Sequence, residues 1–77
     1  MMRDTVIGIL SRGGGVRMCC KGLSADTMKG YAAWAFKGKA RLEFVVGDVH
    51  LLPEIMHEIA ALGRGRLLFD FCSPPPA

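Results

Sequence analysis

The sequence predicts a small α+β domain with the element order β-β-α-β-α-β, its two helices lying on one face of a four-stranded mixed sheet. Three observations carry this expectation. Residues 39–46 alternate apolar and polar side chains with the period of a half-buried strand. Two segments, 24–36 and 53–62, place apolar residues at helical spacing. Lys39 to Phe71 has the form strand, helix, strand, and the stretch from Gly47 to Gly65 is long enough for a crossover between parallel strands. At 77 residues, 51% of them apolar, the chain has room for one domain, read here as residues 1–73 with a Pro-rich tail at 74–77. A domain of this size buries only about 60% of its unfolded surface, so it needs a dense core, a staple or a partner.

Each element has its own grounds. Thr5 to Leu10 is rich in β-branched residues and Val16 to Cys20 is a second apolar run, with Ser11-Arg12-Gly13-Gly14-Gly15 between them. Together they read as a hairpin whose tip is the glycine run. Short apolar runs are ambiguous, and a helix over the first run is the alternative. Ser24 is placed as a helix N-cap, with Asp26 in the first turn and Leu23 and Met28 as a hydrophobic staple. Met28, Tyr31, Ala32 and Ala35 make the buried stripe of this helix, and Lys37-Gly38 ends it. The clearest strand follows, with Ala40, Leu42, Phe44 and Val46 on one face and Lys39, Arg41, Glu43 and Val45 on the other; Gly47-Asp48 breaks it. The second helix holds Pro53 in its first turn, because an interior proline would cost about 3 kcal/mol. It buries Ile55, Met56, Ile59, Ala60 and Leu62 and stops at Gly63. Arg66 to Phe71 is the last strand, and Ser73 to Ala77 a stiff tail.

Ten Lys and Arg against seven Asp and Glu give a net charge of +3, a mild basic bias. The size excludes the large cofactor-binding folds, and no cofactor is expected. Cys19, Cys20 and Cys72 are odd in number, and the adjacent pair cannot bridge to itself without strain, which points to a reducing compartment. No run approaches the roughly 18 apolar residues of a membrane span, and the N-terminus lacks a signal-peptide cleavage region. A cytoplasmic protein without membrane contact is expected.

Several motifs point to chemistry less strongly than to structure. The Ser11–Gly15 loop, with Arg12 and Arg17, has the backbone freedom to hold a phosphate, but Val16 begins an apolar run where a P-loop needs a helix. Glu54 and His57 have the i, i+3 spacing of carboxylate metal sites, near His50 and Glu58, yet that spacing occurs once where such bundles use it twice. Cys19 and Cys20 lack a visible base, so small buried hydrophobes are the expected role. No metal and no catalytic residue are expected. Lys37-Gly38-Lys39-Ala40-Arg41-Leu42-Glu43-Phe44 partly resembles the RNA-recognition-motif signature, with Lys39 and Arg41 standing where that family has aromatics.

The strongest surface features are two basic loops, Lys37-Gly38-Lys39-Ala40-Arg41 and Gly63-Arg64-Gly65-Arg66. If the strands that they precede are parallel, Lys37, Lys39, Arg41, Arg64 and Arg66 converge on one rim. The helix with Tyr31 and Trp34, and the loops ending at Arg41 and Arg66, give this short chain without a catalytic set a likeness in kind to another group: it resembles the small phage-encoded anti-CRISPR proteins. That resemblance implies a non-enzymatic inhibitor occupying a surface of a larger protein complex. From the chain's own residues, Tyr31, Trp34 or Phe36 are the expected apolar anchors of a protein-binding module, with the basic loops as rim. Trp34 falls off the buried stripe and is the residue expected to be exposed. The alternative is a small nucleic-acid-binding domain using the same loops on phosphates. An open sheet edge also makes a homodimer an option.

Overall fold

Helical spacing, rather than β-branched content, decides the first element. Val6 and Leu10 stand four residues apart and are both buried, so a helix carries them to one face. The computed structural model describes residues 2–47 and 49–71. Six elements follow one another: α1 (Met2–Ser11), β1 (Gly15–Cys19), α2 (Ala25–Lys37), β2 (Arg41–Val45), α3 (Pro53–Gly63) and β3 (Leu67–Asp70). The expected four-stranded mixed sheet with two helices is thereby corrected to three helices and a three-stranded, all-parallel sheet in the order β1-β2-β3. Burial of Val6 and Leu10 overrides the strand preference of Thr5, Val6 and Ile7, since propensity is the weaker term. Asp48, Cys72 and the tail at 74–77 lie outside the described residues.

The remaining elements form for the expected local reasons. Ser24 caps α2, its hydroxyl oxygen accepting from the Thr27 N–H at 3.2 Å, and Met28, Tyr31, Ala32 and Ala35 are buried along it. Pro53 opens α3. Of the residues expected to be buried there, Ile59 is fully buried and Ile55 packs against the core, whereas Ala60 and Leu62 are exposed. A three-helix layer on a narrow sheet gives α3 an outer flank that no other described element covers.

Strand register pairs Arg17 with Glu43 and Glu43 with Leu68, and equally Cys19 with Val45 and Val45 with Asp70. Alternation sends Val16, Met18, Leu42, Phe44, Leu67 and Phe69 into the core. All three helices lie on that face, α2 in the middle touching both α1 and α3. Lys29 of α2 pairs with Glu58 of α3 at 2.6 Å, which raises the Lys29 ammonium above its ordinary value. Among the described residues no helix lies on the other face, which carries Arg17, Arg41, Glu43, Leu68 and Asp70. Parallel sheets are ordinarily covered on both faces and read as continuous apolar runs; Arg41 and Glu43 on the outer face of β2 reflect this one-sided burial, while Val45 on the same face is buried.

Candidate functional site at the basic end of the sheet

Three parallel strands connected by helices bring three turns to one end of the molecule: residues 11–15, 37–41 and 63–67. Each turn closes a helix C-terminus. At the end of α1 the Gly13 and Gly14 N–H groups donate back to Leu10 and Ile9 oxygens at 3.1 and 2.9 Å, with Gly13 in the left-handed region at φ 82°. This is a Schellman closure with glycine where it is usual. The glycine run is therefore a helix stop and not the expected hairpin tip.

The end of α2 repeats the same motif with a lysine in glycine's place. The Lys39 N–H donates to Phe36 O at 3.2 Å and the Ala40 N–H to Ala35 O at 2.8 Å, while Lys39 takes φ 55°. At the end of α3 the Arg64 N–H donates to Ala60 O at 2.8 Å, and Arg64 takes φ 47°. Side chains with a Cβ are disfavoured in this region by about 1–2 kcal/mol, so two cations occupy positions that the backbone would give to glycine. They are the only non-glycine residues with positive φ among the described residues.

The sequence-predicted cations all meet here. Arg66 donates from Nη1 to the Lys39 backbone oxygen at 3.1 Å, tying the two basic loops together. The Lys37 ammonium lies 5.0 Å from the centre of the Trp34 ring, and the Arg64 guanidinium 4.9 Å from that of Phe36. A sixth cation joins them. Arg12 reaches from its Nη1 to Gly8 O at 2.9 Å; reading residues 5–10 as a helix would have placed it at this end. The three turns contain six Lys and Arg and no acid, which leaves four Lys and Arg against seven Asp and Glu in the rest of the chain. The overall +3 is thus a +6 end joined to a −3 remainder. None of the six makes an ion pair among the described residues.

Tyr31 is absent from this surface, and Trp34 reaches it only as the partly buried ring beneath Lys37. Tyr31 is only 3% exposed, and Trp34 is half-buried against the core. The reason is the place of α2: with α1 and α3 on either side, its flanks are covered along with its sheet-facing stripe. Phe36, 44% exposed beneath Arg64, is the aromatic left outward. Phe44 is fully buried, so the strand that resembles the RNA-recognition signature offers no stacking ring.

The bare sheet face continues the basic end. Arg41 stands between two shallow grooves of about 280 and 250 Å³, the first bounded by Glu43, Gly65, Arg66, Leu67 and Leu68. Both fall below the roughly 300–1,000 Å³ of ordinary small-molecule pockets. Across the strands Arg17 bonds Glu43 at 2.7 Å and Asp70 at 3.3 Å, and these bonds, Glu43 first, raise its guanidinium above the ordinary value.

At the opposite end, His50, Glu54, His57 and Glu58 are exposed, and no group of three or more His, Cys, Asp or Glu among the described residues is placed to hold a metal. Cys19 is half-buried and Cys20 buried. Burial, and secondarily the nearby Cys19, push the Cys20 thiol up. A raised thiol value means that the neutral form is held in the folded state, so its contribution is present at neutral pH and lost as pH rises through that value. We expect a thiol reagent at pH 7.5 to label Cys19 rapidly and Cys20 only at the rate of unfolding, and stability to decline above about pH 8.5. Peptide mapping after timed labelling checks this, and equal labelling rates would remove it. No described helix is long and apolar enough to cross a membrane. Comparison with protein-family models, curated proteins and solved structures finds no match to this chain.

Proposed function

We propose that this protein is a small non-enzymatic binding domain that holds a nucleic-acid backbone at its basic end. The observation that carries the reading is the acid-free set of six cations, two of them kept in left-handed backbone where glycine is the unstrained choice. Cations at helix C-termini complement the macrodipole without any ligand, which accounts for their presence but not for their position at strained residues. Arg41 projects from a strand on the sheet face, where no helix end explains it. The spread of cations over three adjacent turns suits a run of phosphates better than a single small anion.

Fluorescence anisotropy with a labelled duplex and a labelled single strand tests this between about 50 and 300 mM salt. With four phosphates contacted, log affinity falls against log salt with a slope of about −3.6 for duplex. Lys39→Ala, Arg41→Ala and Arg64→Ala combined flatten that slope by about 2.7. A salt slope indistinguishable from zero, or a triple variant that binds like the wild type, overturns the proposal.

A second reading is favoured by Phe36, whose exposed ring lies under Arg64. Here the same end occupies an acidic surface of a larger protein complex, the role that the likeness to anti-CRISPR proteins implies. It predicts that Phe36→Ala abolishes capture of the partner while leaving weak, salt-sensitive nucleic-acid binding unchanged.

A further inference from the structure

We infer that the outer edge of β3 is a homodimerisation surface, on which a second copy of this chain lays its own β3 antiparallel to make one six-stranded sheet. β3 is an edge strand, and no described strand pairs with its outer side. Its backbone directions follow from its bonds to β2. The Leu42 N–H donates to Arg66 O at 2.9 Å and the Val46 N–H to Asp70 O at 2.8 Å, so residues 66 and 70, and by alternation 68, turn inward. Leu67 and Phe69 therefore turn their N–H and C=O groups outward.

Soluble proteins protect such edges with proline, lysine, bulges or a covering element. From Leu67 to Asp70 the strand, and Phe71 directly after it, have no proline and no lysine, and the register of β3 with β2 is unbroken. It instead exposes Leu68 and Phe71, at 55% and 57%, the latter stacked on Phe69 with ring centres 6.1 Å apart.

Self-complementarity selects a second copy as the occupant. A two-fold axis through Leu68 pairs Leu67 with Phe69 of the second copy at the hydrogen-bonded positions and Leu68 with its own equivalent between them. On the same face it sets Arg66 opposite Asp70 of the second copy, twice by symmetry. An axis through Phe69 places Leu68 opposite Asp70 and loses both charge pairs. Charge and apolar pattern therefore agree on one register. Asp70 already bonds Arg17, so Arg66 of the second copy extends that network across the new strand pair.

A four-residue strand pair is a small interface, and the association is weak enough to need a concentration series. Sedimentation velocity of the full chain over about 5–500 µM is expected to show monomer–dimer exchange. Leu68→Lys, at an exposed position, abolishes the dimer with an unchanged circular dichroism spectrum. Arg66→Glu alone and Asp70→Arg alone are each monomeric, whereas their equimolar mixture dimerises, because each mixed pair again joins opposite charges. A monomer throughout the range, a dimer untouched by Leu68→Lys, or a mixture that stays monomeric overturns the inference. These readouts involve no nucleic acid, so they stand or fall separately from the proposed function.

Discussion

Gly38→Ala is expected to remove about 3 kcal/mol of stability, lowering the Tm by roughly 15 °C, although it adds one methyl group at a helix end. The C-termini of α1 and α2 cross at this point with backbone against backbone. A Cβ on Gly38 would overlap the Leu10 carbonyl oxygen and stand 2.9 Å from its carbon and 3.0 Å from the Ser11 Cα. None of these atoms can swing aside as a side-chain tip does. Leu10 is fully buried and its oxygen accepts the Gly13 N–H that closes α1, so relief of the overlap must displace either a core residue or the helix stop. A domain of this length has only about 4–12 kcal/mol to lose. Gly30→Ala is the matched control. It lies inside α2 with nothing within 4 Å of the added Cβ, and it is expected to gain about 0.5–1 kcal/mol through helix propensity. Urea unfolding with an unchanged m-value measures both, and equal midpoints for the two variants would mean that the helix ends do not touch.

What could be read before folding depended on whether a local rule and a tertiary demand agreed. They agree at α2, where the Ser24 cap, the stripe from Met28 to Ala35 and the stop at Gly38 each describe the helix without its neighbours. They agree at β2, whose Leu42 and Phe44 are fully buried as their alternation requires. They disagree at Thr5-Val6-Ile7, where β-branched content favours a strand and the burial of Val6 and Leu10 favours a helix. That single reversal turned the glycine run from a hairpin tip into a helix stop, removed one strand and made the sheet parallel throughout. Convergence of the five loop cations survived it, because it required only that β2 and β3 run parallel. Trp34 is partly buried for another reason: one helix's stripe shows which face meets the sheet, not that helices will stand on both flanks.

The charge segregation also has a cause in topology. Asp4, Asp26 and Glu54 sit in the first turns of α1, α2 and α3, while Lys37 ends α2 and Arg12, Lys39 and Arg64 follow within two residues of the three helix C-termini. Each placement follows the local preference for acids at helix N-termini and cations at C-termini. In an antiparallel bundle these preferences cancel across the molecule. Here all three helices point the same way, and the same preferences add up to one basic end. The dipole argument predicts that each of these four cations at a helix end stabilises the fold, and this is where it parts from a binding role.

Replacing Lys39 and Arg64 with glycine separates the two. Relief of left-handed strain at Lys39 is worth about 1 kcal/mol, against about 0.3–0.5 kcal/mol for a lost charge at an exposed helix end, so Lys39→Gly is expected to stabilise the protein by about 0.5 kcal/mol. Arg64→Gly gains the same relief but loses the contact with Phe36, worth about 0.5–1 kcal/mol at an exposed site, and is expected to be nearly neutral. The hydrogen bond from Arg66 survives in Lys39→Gly, because it is accepted by the backbone oxygen. Binding moves the other way. Losing two phosphate contacts at about 0.1 M salt weakens affinity for duplex about 60-fold, from a slope change of about 1.8. The double variant should therefore be at least as stable as the wild type and a markedly poorer ligand binder, the signature of residues held in strain for contact and not for folding. Thermal unfolding and anisotropy on the same preparation measure both quantities. A double variant that is destabilised by more than about 1 kcal/mol and binds unchanged would return these cations to the helix dipoles alone.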